Sequence, residues 1–503
     1  LPAAVQLTGI KNADRAAAFC SPNGRRPEGP ARGSENHMEN KTAKQLEKEL
    51  LYTAKPAVDE ESGVFAKAER FCEGYKAFLD AGKTEREAAA LSVKMLEEAG
   101  YKPFEAGRRY QAGEKVYYNN RGKCVLAATV GRAPLEAGIH MNMAHIDSPR
   151  LDLKQLPLYE EGGLALFKTH YYGGLRKYQW TAVPLALHGV LYKAGGERVD
   201  FCVGEKESDP VFCVTDLLPH LSADQNNRTL KGGIKGEELN IVVGSLPIED
   251  EDAKQRVKLF TMRLLNEQYG LVEKDFIRAE IEAVPAYKAK DVGFDRSLIG
   301  AYGQDDLVEA YPALVAEIEV QNPWFTTLCV LTDKEEIGSD GVTGLQSDYV
   351  FHFIQQLCQG QNADYVLTLM ASKCLSSDVT NAFDPTFPDV SDKRNSAYAG
   401  KGVCLTKYTG GGGKSSTNDA SAELVAYFAD LLDEAGVAWQ TGELGKVDQG
   451  GGGTVAKFVA RRNVDTIDLG VPVLSMHAPF ELVAKVDVYM AYKAFAAFAR
   501  AER

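Results

Sequence analysis

The chain has 503 residues, 45% hydrophobic and 25% charged, enough for about two to four domains with large buried cores and no need of disulfide staples. A net charge of −13 argues against a nucleic-acid or anionic-membrane surface, either of which needs a basic face. The nine cysteines are odd in number, scattered and without a C-x-x-C pair, which fits reduced thiols in the cytoplasm and disfavours both a disulfide framework and a thiolate zinc site.

From the N-terminus, residues 1–37 are rich in Gly, Pro and Arg and lack the apolar run of a signal peptide. They are expected to be an extension, disordered or not native, with Met38 as the start. Two helices are predicted over 62–82 and 84–100: Thr84 and Glu87 form a capping box, Leu91, Met95 and Ala99 share a face, and Gly100 is the stop. The runs "CVLAATVG" and "GIHMNMAHID" then read as strands.

Between about 155 and 285 the texture changes to glycine-punctuated alternation ("GVLYKAGGERVDFCVG"), which predicts an inserted β-rich domain of antiparallel hairpins. Beyond it "TTLCVLTD", "SDYVFHFIQQLCQG" and "ADYVLTLMAS" read as strand, helix and strand. The expected fold is therefore α/β: a central mixed, largely parallel sheet flanked by helices, contributed by 38–154 and 286–503, with 155–285 inserted. No run reaches the roughly 18 apolar residues of a membrane span. "YTGGGGKSS" ends like a phosphate-binding loop, but its first glycine would have to fall at Tyr408, so that reading fails on spacing.

Chemistry-bearing residues stand where apolar runs end. His145 and Asp147 close "IHMNMAHID", Glu335 and Glu336 follow "TTLCVLTDK", Asp378 follows "YVLTLMASKCLSS", and His477 closes "VPVLSM". In an open α/β sheet the carboxyl ends of parallel strands meet along one edge, so these residues are expected to converge there. Imidazole with carboxylate suits zinc, cobalt or manganese, and a carboxylate shared between two ions is the dinuclear hydrolase arrangement. Asp305 and Asp306, in the first turn of "YGQDDLVEAYPAL", each offer such a bridge. Asp147 has the same strand parity as His145 and is expected to orient its ring. In the Glu-Glu pair, one acid can ligate while the other handles water. His170 reads as structural, and His140, His188 and His352 as packed or surface side chains.

In this order and spacing, "AHIDSPRLDLK", "GQDDLVEAYPAL", "DKEEIGSDG", "SSDVTNAFDP" and "LSMHAPFELVAKVD" resemble the aspartyl aminopeptidase and vacuolar aminopeptidase I family, from about Met38 to the C-terminus. The resemblance implies a zinc-exopeptidase-like catalytic domain holding two divalent metal ions, zinc first, with cobalt and manganese as alternatives. Asp305 would bridge them, Glu336 and His477 would complete one site, His145 and Asp378 the other, and Glu335 would be the general base. It further implies hydrolysis of the first residue from peptide substrates, an insert that dimerises and builds a dodecamer, and a histidine from a neighbouring subunit at the site, here His220 in "LLPHLSADQNN". The chain lacks the family's Asp-Arg after the glycines of "YYGGLRKYQWTAVPLALHG", so acidic-residue preference would rest on Lys407 or Lys414. Asp448 and the glycines around Gly451 are expected to line the substrate pocket. The rival readings are a related dinuclear deacylase and a catalytically silent shell protein.

Overall fold

The computed structural model describes residues 41–58, 63–250 and 252–503, so the extension expected over 1–37 and Met38 lie outside the described residues. The chain divides into two units, Leu1–Thr53 and Ala54–Arg503. In the first, Thr42 caps the helix Ala43–Leu50 through a box with Gln45.

The second unit is built on a nine-stranded sheet. Its middle consists of Thr326–Thr332, Ile139–His145, Lys373–Ser377 and Asp465–Gly470, in that order and mutually parallel. Antiparallel partners, Cys124–Thr129 beside Thr326–Thr332 and Val403–Thr406 beside Asp465–Gly470, make the sheet mixed. Period-2 alternation sends its side chains into two cores. Met141, Met143, Leu328 and Val330 pack with the helix Tyr349–Gln361, whereas Ala144, Cys329 and Leu331 pack with Val64–Ala81, Gln304–Glu319 and Lys485–Arg500. His140 is buried on that second face, stacked between Phe325 and Phe498 with Nδ1 3.0 Å from the Phe498 carbonyl.

The second N-terminal helix, Glu85–Glu98, begins with the expected box between Thr84 and Glu87. "ADYVLTLMAS" departs from expectation. Asp364 accepts from the Leu367 N–H at 2.9 Å and starts a helix, Tyr365–Ala371, and the strand follows only at Lys373–Ser377. The cap outweighs the β-propensity of a run too short to declare its own period.

Within 150–285 seven strands form an antiparallel sheet whose core includes Leu151, Phe167, Leu187 and Ile281. A third sheet, unanticipated from the pattern because its strands have only two to four residues, joins Leu298–Ala301 to Glu481–Ala484 and Pro472–Leu474.

Glu317 is a buried carboxyl on the helix Gln304–Glu319, receiving the hydroxyls of Thr129, Thr327 and Tyr101 at 2.8, 3.0 and 3.0 Å. Burial pushes it up to about 7. An acid whose folded pKa lies above its unfolded value stabilises the fold fully below about pH 4.5, and that contribution is lost as pH rises towards 7. The differential is on the order of 3 kcal/mol. Glu317→Gln is therefore expected to lessen the fall in Tm between pH 5 and pH 8, and an unchanged fall would show that Glu317 does not titrate in this range.

Candidate metal centre

The parallel register places Thr332 beside His145 and Ser376 beside Met143, so the segments that follow these strands leave the sheet at one edge. The small third sheet delivers the rest: Ala301 pairs with Glu481, which sets Asp305 and His477 against each other.

Asp305 lies at the centre. Its Oδ1 is 3.1 Å from His145 Nε2 and its Oδ2 is 3.1 Å from His477 Nε2. Glu336 Oε1 stands 3.4 Å from His477 Nε2, and Asp378 Oδ1 stands 4.0 Å from His145 Nε2. Asp306 turns away, Oδ2 accepting the His145 N–H at 3.2 Å. Glu335 has its carboxylate grouped with His145 and Asp378 and lines a cavity of about 160 Å³.

Both imidazoles are oriented from behind by backbone. His145 Nδ1 donates to the Asp147 carbonyl and His477 Nδ1 to the Gly174 carbonyl, each at 2.9 Å, which turns both Nε2 atoms towards Asp305, where each can ligate a metal once its proton is lost. Glycine suits position 174, since a Cβ there would stand 3.2 Å from that Nδ1 and press the ring out of place by a few tenths of an ångström.

Two buried acids hold the segments in register. The Asp147 carboxylate accepts the Glu335 and Glu336 N–H groups at 3.1 and 3.3 Å and the Tyr172 hydroxyl at 2.7 Å. Its carboxylate thus reaches the His145 ring less closely, at 3.4 Å, than its carbonyl does. Glu481 accepts the His477 and Asp305 N–H groups at 2.7 and 3.2 Å. Glu481, Tyr172 and Gly174 carry no ligand signal in the sequence beyond the position of Glu481, four residues after His477 in "LSMHAPFELVAKVD".

Five residues named from the sequence lie elsewhere. His220 is exposed in a short turn, Pro219–Leu221, and does not line its own chain's cavity. Lys407 and Lys414 both pair with Asp419. Asp448 is exposed. Gly451 backs on to Gly411, where a Cβ would meet the Gly411 Cα at 2.5 Å, and it is Gly452 and Gly453 that line the cavity.

A family model described as aminopeptidase I zinc metalloprotease (M18) matches residues 78–499. The chain belongs to the M18 aminopeptidase family. Among M18 relatives, the probable M18 family aminopeptidase 1 of Clostridium acetobutylicum is 48% identical over 444 residues, 86% of this chain and 94% of that one. The counterpart in Thermotoga maritima is 45% identical over 432 residues, 85% and 95% of the two chains. The crystal structure of the Thermotoga maritima M18 aminopeptidase superposes with a TM-score of 0.85 at 42% identity, covering 89% of this chain and 99% of that one. This M18 chain is thus a zinc-dependent aminopeptidase, removing N-terminal residues from peptides.

The residues fit the metal the family requires. Asp305, Glu335, Glu336 and Asp378 meet two imidazoles, and no described residue lining the cavity is Lys or Arg. Glu336 Oε1 is buried without a hydrogen-bond partner. Burial pushes the Glu336 and Asp378 carboxyls up, reinforced by neighbouring acids. Burial opposes charge on His477, but Asp305 and Glu336 outweigh it and push the ring up to about 11. Acids that resist ionising together, beside two oriented imidazoles, are the complement of divalent cations, which would displace the protons from both.

Proposed function

We propose that the chain is a dinuclear aminopeptidase whose two zinc ions would be held in common by Asp305, with His477 and Glu336 serving one and His145 and Asp378 the other. The two oxygens of Asp305, each 3.1 Å from a different Nε2, carry this reading. Bound zinc supplies Lewis acidity, polarising the scissile carbonyl and acidifying the attacking water. Cobalt and manganese suit the same donors.

Glu335 is the general base in this scheme. Burial, with Asp147 and Asp305 nearby, pushes its carboxyl up to about 7 against the pull of His145 and His477, which matches a group that takes a proton from water and returns it to the leaving amine. Asp147 and Glu481 hold the backbone of the four segments so that these side chains keep their mutual geometry.

The cavity also bears on which first residue is removed. Val379, Leu444 and Met476 with Thr380, Thr406 and Thr454 are among its lining residues, and Lys407 and Lys414 are engaged with Asp419 instead. An uncharged first residue suits this lining better than Asp or Glu. Among aminoacyl anilides, kcat/KM is expected to be about tenfold or more higher for Leu or Met than for Asp or Glu. Preference for Asp would reject this part of the reading and leave the metal centre untouched.

Self-association through the 155–285 domain is supported by the exposed Leu217, Leu218, Leu221 and Leu230 surrounding His220 in sequence. In such an assembly, a dodecamer built from dimers, His220 of a neighbouring copy would donate to the developing oxyanion.

A further inference from the structure

A second described cluster, sharing no residue with the catalytic cavity, brings together three kinds of metal donor: Glu87, His188 and Cys202, whose donor atoms all lie within 4.8 Å of one another. Glu87 is on the helix Glu85–Glu98. His188 and Cys202 are direct cross-strand partners on Leu185–Tyr192 and Arg198–Val203, so sheet register, rather than a loop, places imidazole beside thiol.

The His188 ring is buried, with Nδ1 2.7 Å from Glu87 Oε1 and 3.9 Å from Cys202 Sγ. Its Nε2 stands 3.0 Å from Glu205 Oε1. Glu205 in turn is held by Lys83 at 2.6 Å and by Lys288. The far nitrogen is therefore fixed by an oxygen, as in both catalytic imidazoles, and the near one faces the other two donors. A histidine between two carboxylates would suffice as an ion pair linking helix to sheet. The Cys202 thiol, 3.9 Å from the same Nδ1, completes a nitrogen, oxygen and sulfur set suited to zinc. Lys83 and Lys288 neutralise Glu205 and leave the charge of Glu87 and of a Cys202 thiolate for a cation.

We propose that Glu87, His188 and Cys202 form a peripheral site for one thiophilic divalent ion, zinc by donor chemistry, tying the helix Glu85–Glu98 to the antiparallel sheet. Binding releases the Cys202 thiol proton and any proton on His188 Nδ1 to solvent. Cys202 is exposed, so water has access to the fourth position.

Sulfur gives the site a signature that the nitrogen and oxygen donors of the catalytic centre cannot produce. Titrating the zinc-loaded enzyme with Cd²⁺ is expected to raise an ultraviolet sulfur-to-cadmium band that saturates at one equivalent. That band should vanish in Cys202→Ser and weaken in Glu87→Gln, while peptidase activity of Cys202→Ser is unchanged. One added equivalent of Zn²⁺ should slow alkylation of Cys202 about tenfold, because the ligated thiolate is no longer a free nucleophile. A band that survives in Cys202→Ser, no band at all, or equal alkylation with and without Zn²⁺ overturns the proposal.

Discussion

Glu335→Gln is expected to lower kcat by about 10²–10⁴-fold while the enzyme keeps its zinc. Glutamine preserves the volume and leaves the backbone bond from the Glu335 N–H to Asp147 in place, so the loop that carries Glu336 stays where it is. What is lost is the capacity to accept a proton. Glu335 lies at the cavity wall beside His145 and Asp378, and burial holds its carboxyl up to about 7, close to where a base both ionises and binds a proton at neutral pH. The checks are kcat on an aminoacyl anilide and the zinc content of the same preparation. A near-normal rate would remove Glu335 from its role, and simultaneous loss of zinc would make it a ligand instead of a base.

Asp305→Asn should do the opposite, with metal and activity falling together. Each oxygen of Asp305 faces a separate imidazole. An amide retains one oxygen but offers an NH₂ donor at the other position, which repels the cation there. It also removes one negative charge from between the two histidines. Activity is expected to fall at least about a hundredfold, since changes one layer further from a metal already cost 10–100-fold. Asp306→Asn is the control: its carboxylate receives the His145 N–H at 3.2 Å and does not lie between the rings, so zinc content should be retained.

How far the sequence could be read depended on the kind of element. His145, Glu335, Glu336 and Asp378 were legible because apolar strands of five to seven residues end just before them or on them, and parallel strands bring such ends to one edge. Asp305 was not separable from Asp306 by pattern. What distinguishes the two is the three-sheet arrangement around Glu481, whose strands are too short to show a period. Gly174 and Tyr172 reach the centre from the antiparallel sheet, a tertiary contact that no local signal encodes. "ADYVLTLMAS" misled because an apolar run of this length suits a strand or a buried helix, and the Asp364 cap decides between them. His188 read as a packed side chain, and only strand pairing reveals the thiol opposite it.

The dinuclear reading is tested most directly by counting zinc per chain in purified Cys202→Ser enzyme, which lacks the peripheral thiol, after exhaustive removal of loosely held metal. Two tightly bound ions are expected, both dependent on the imidazoles that flank Asp305. An active enzyme holding a single ion at that centre, with Asp305→Asn retaining it, would contradict the shared carboxylate on which the mechanism depends.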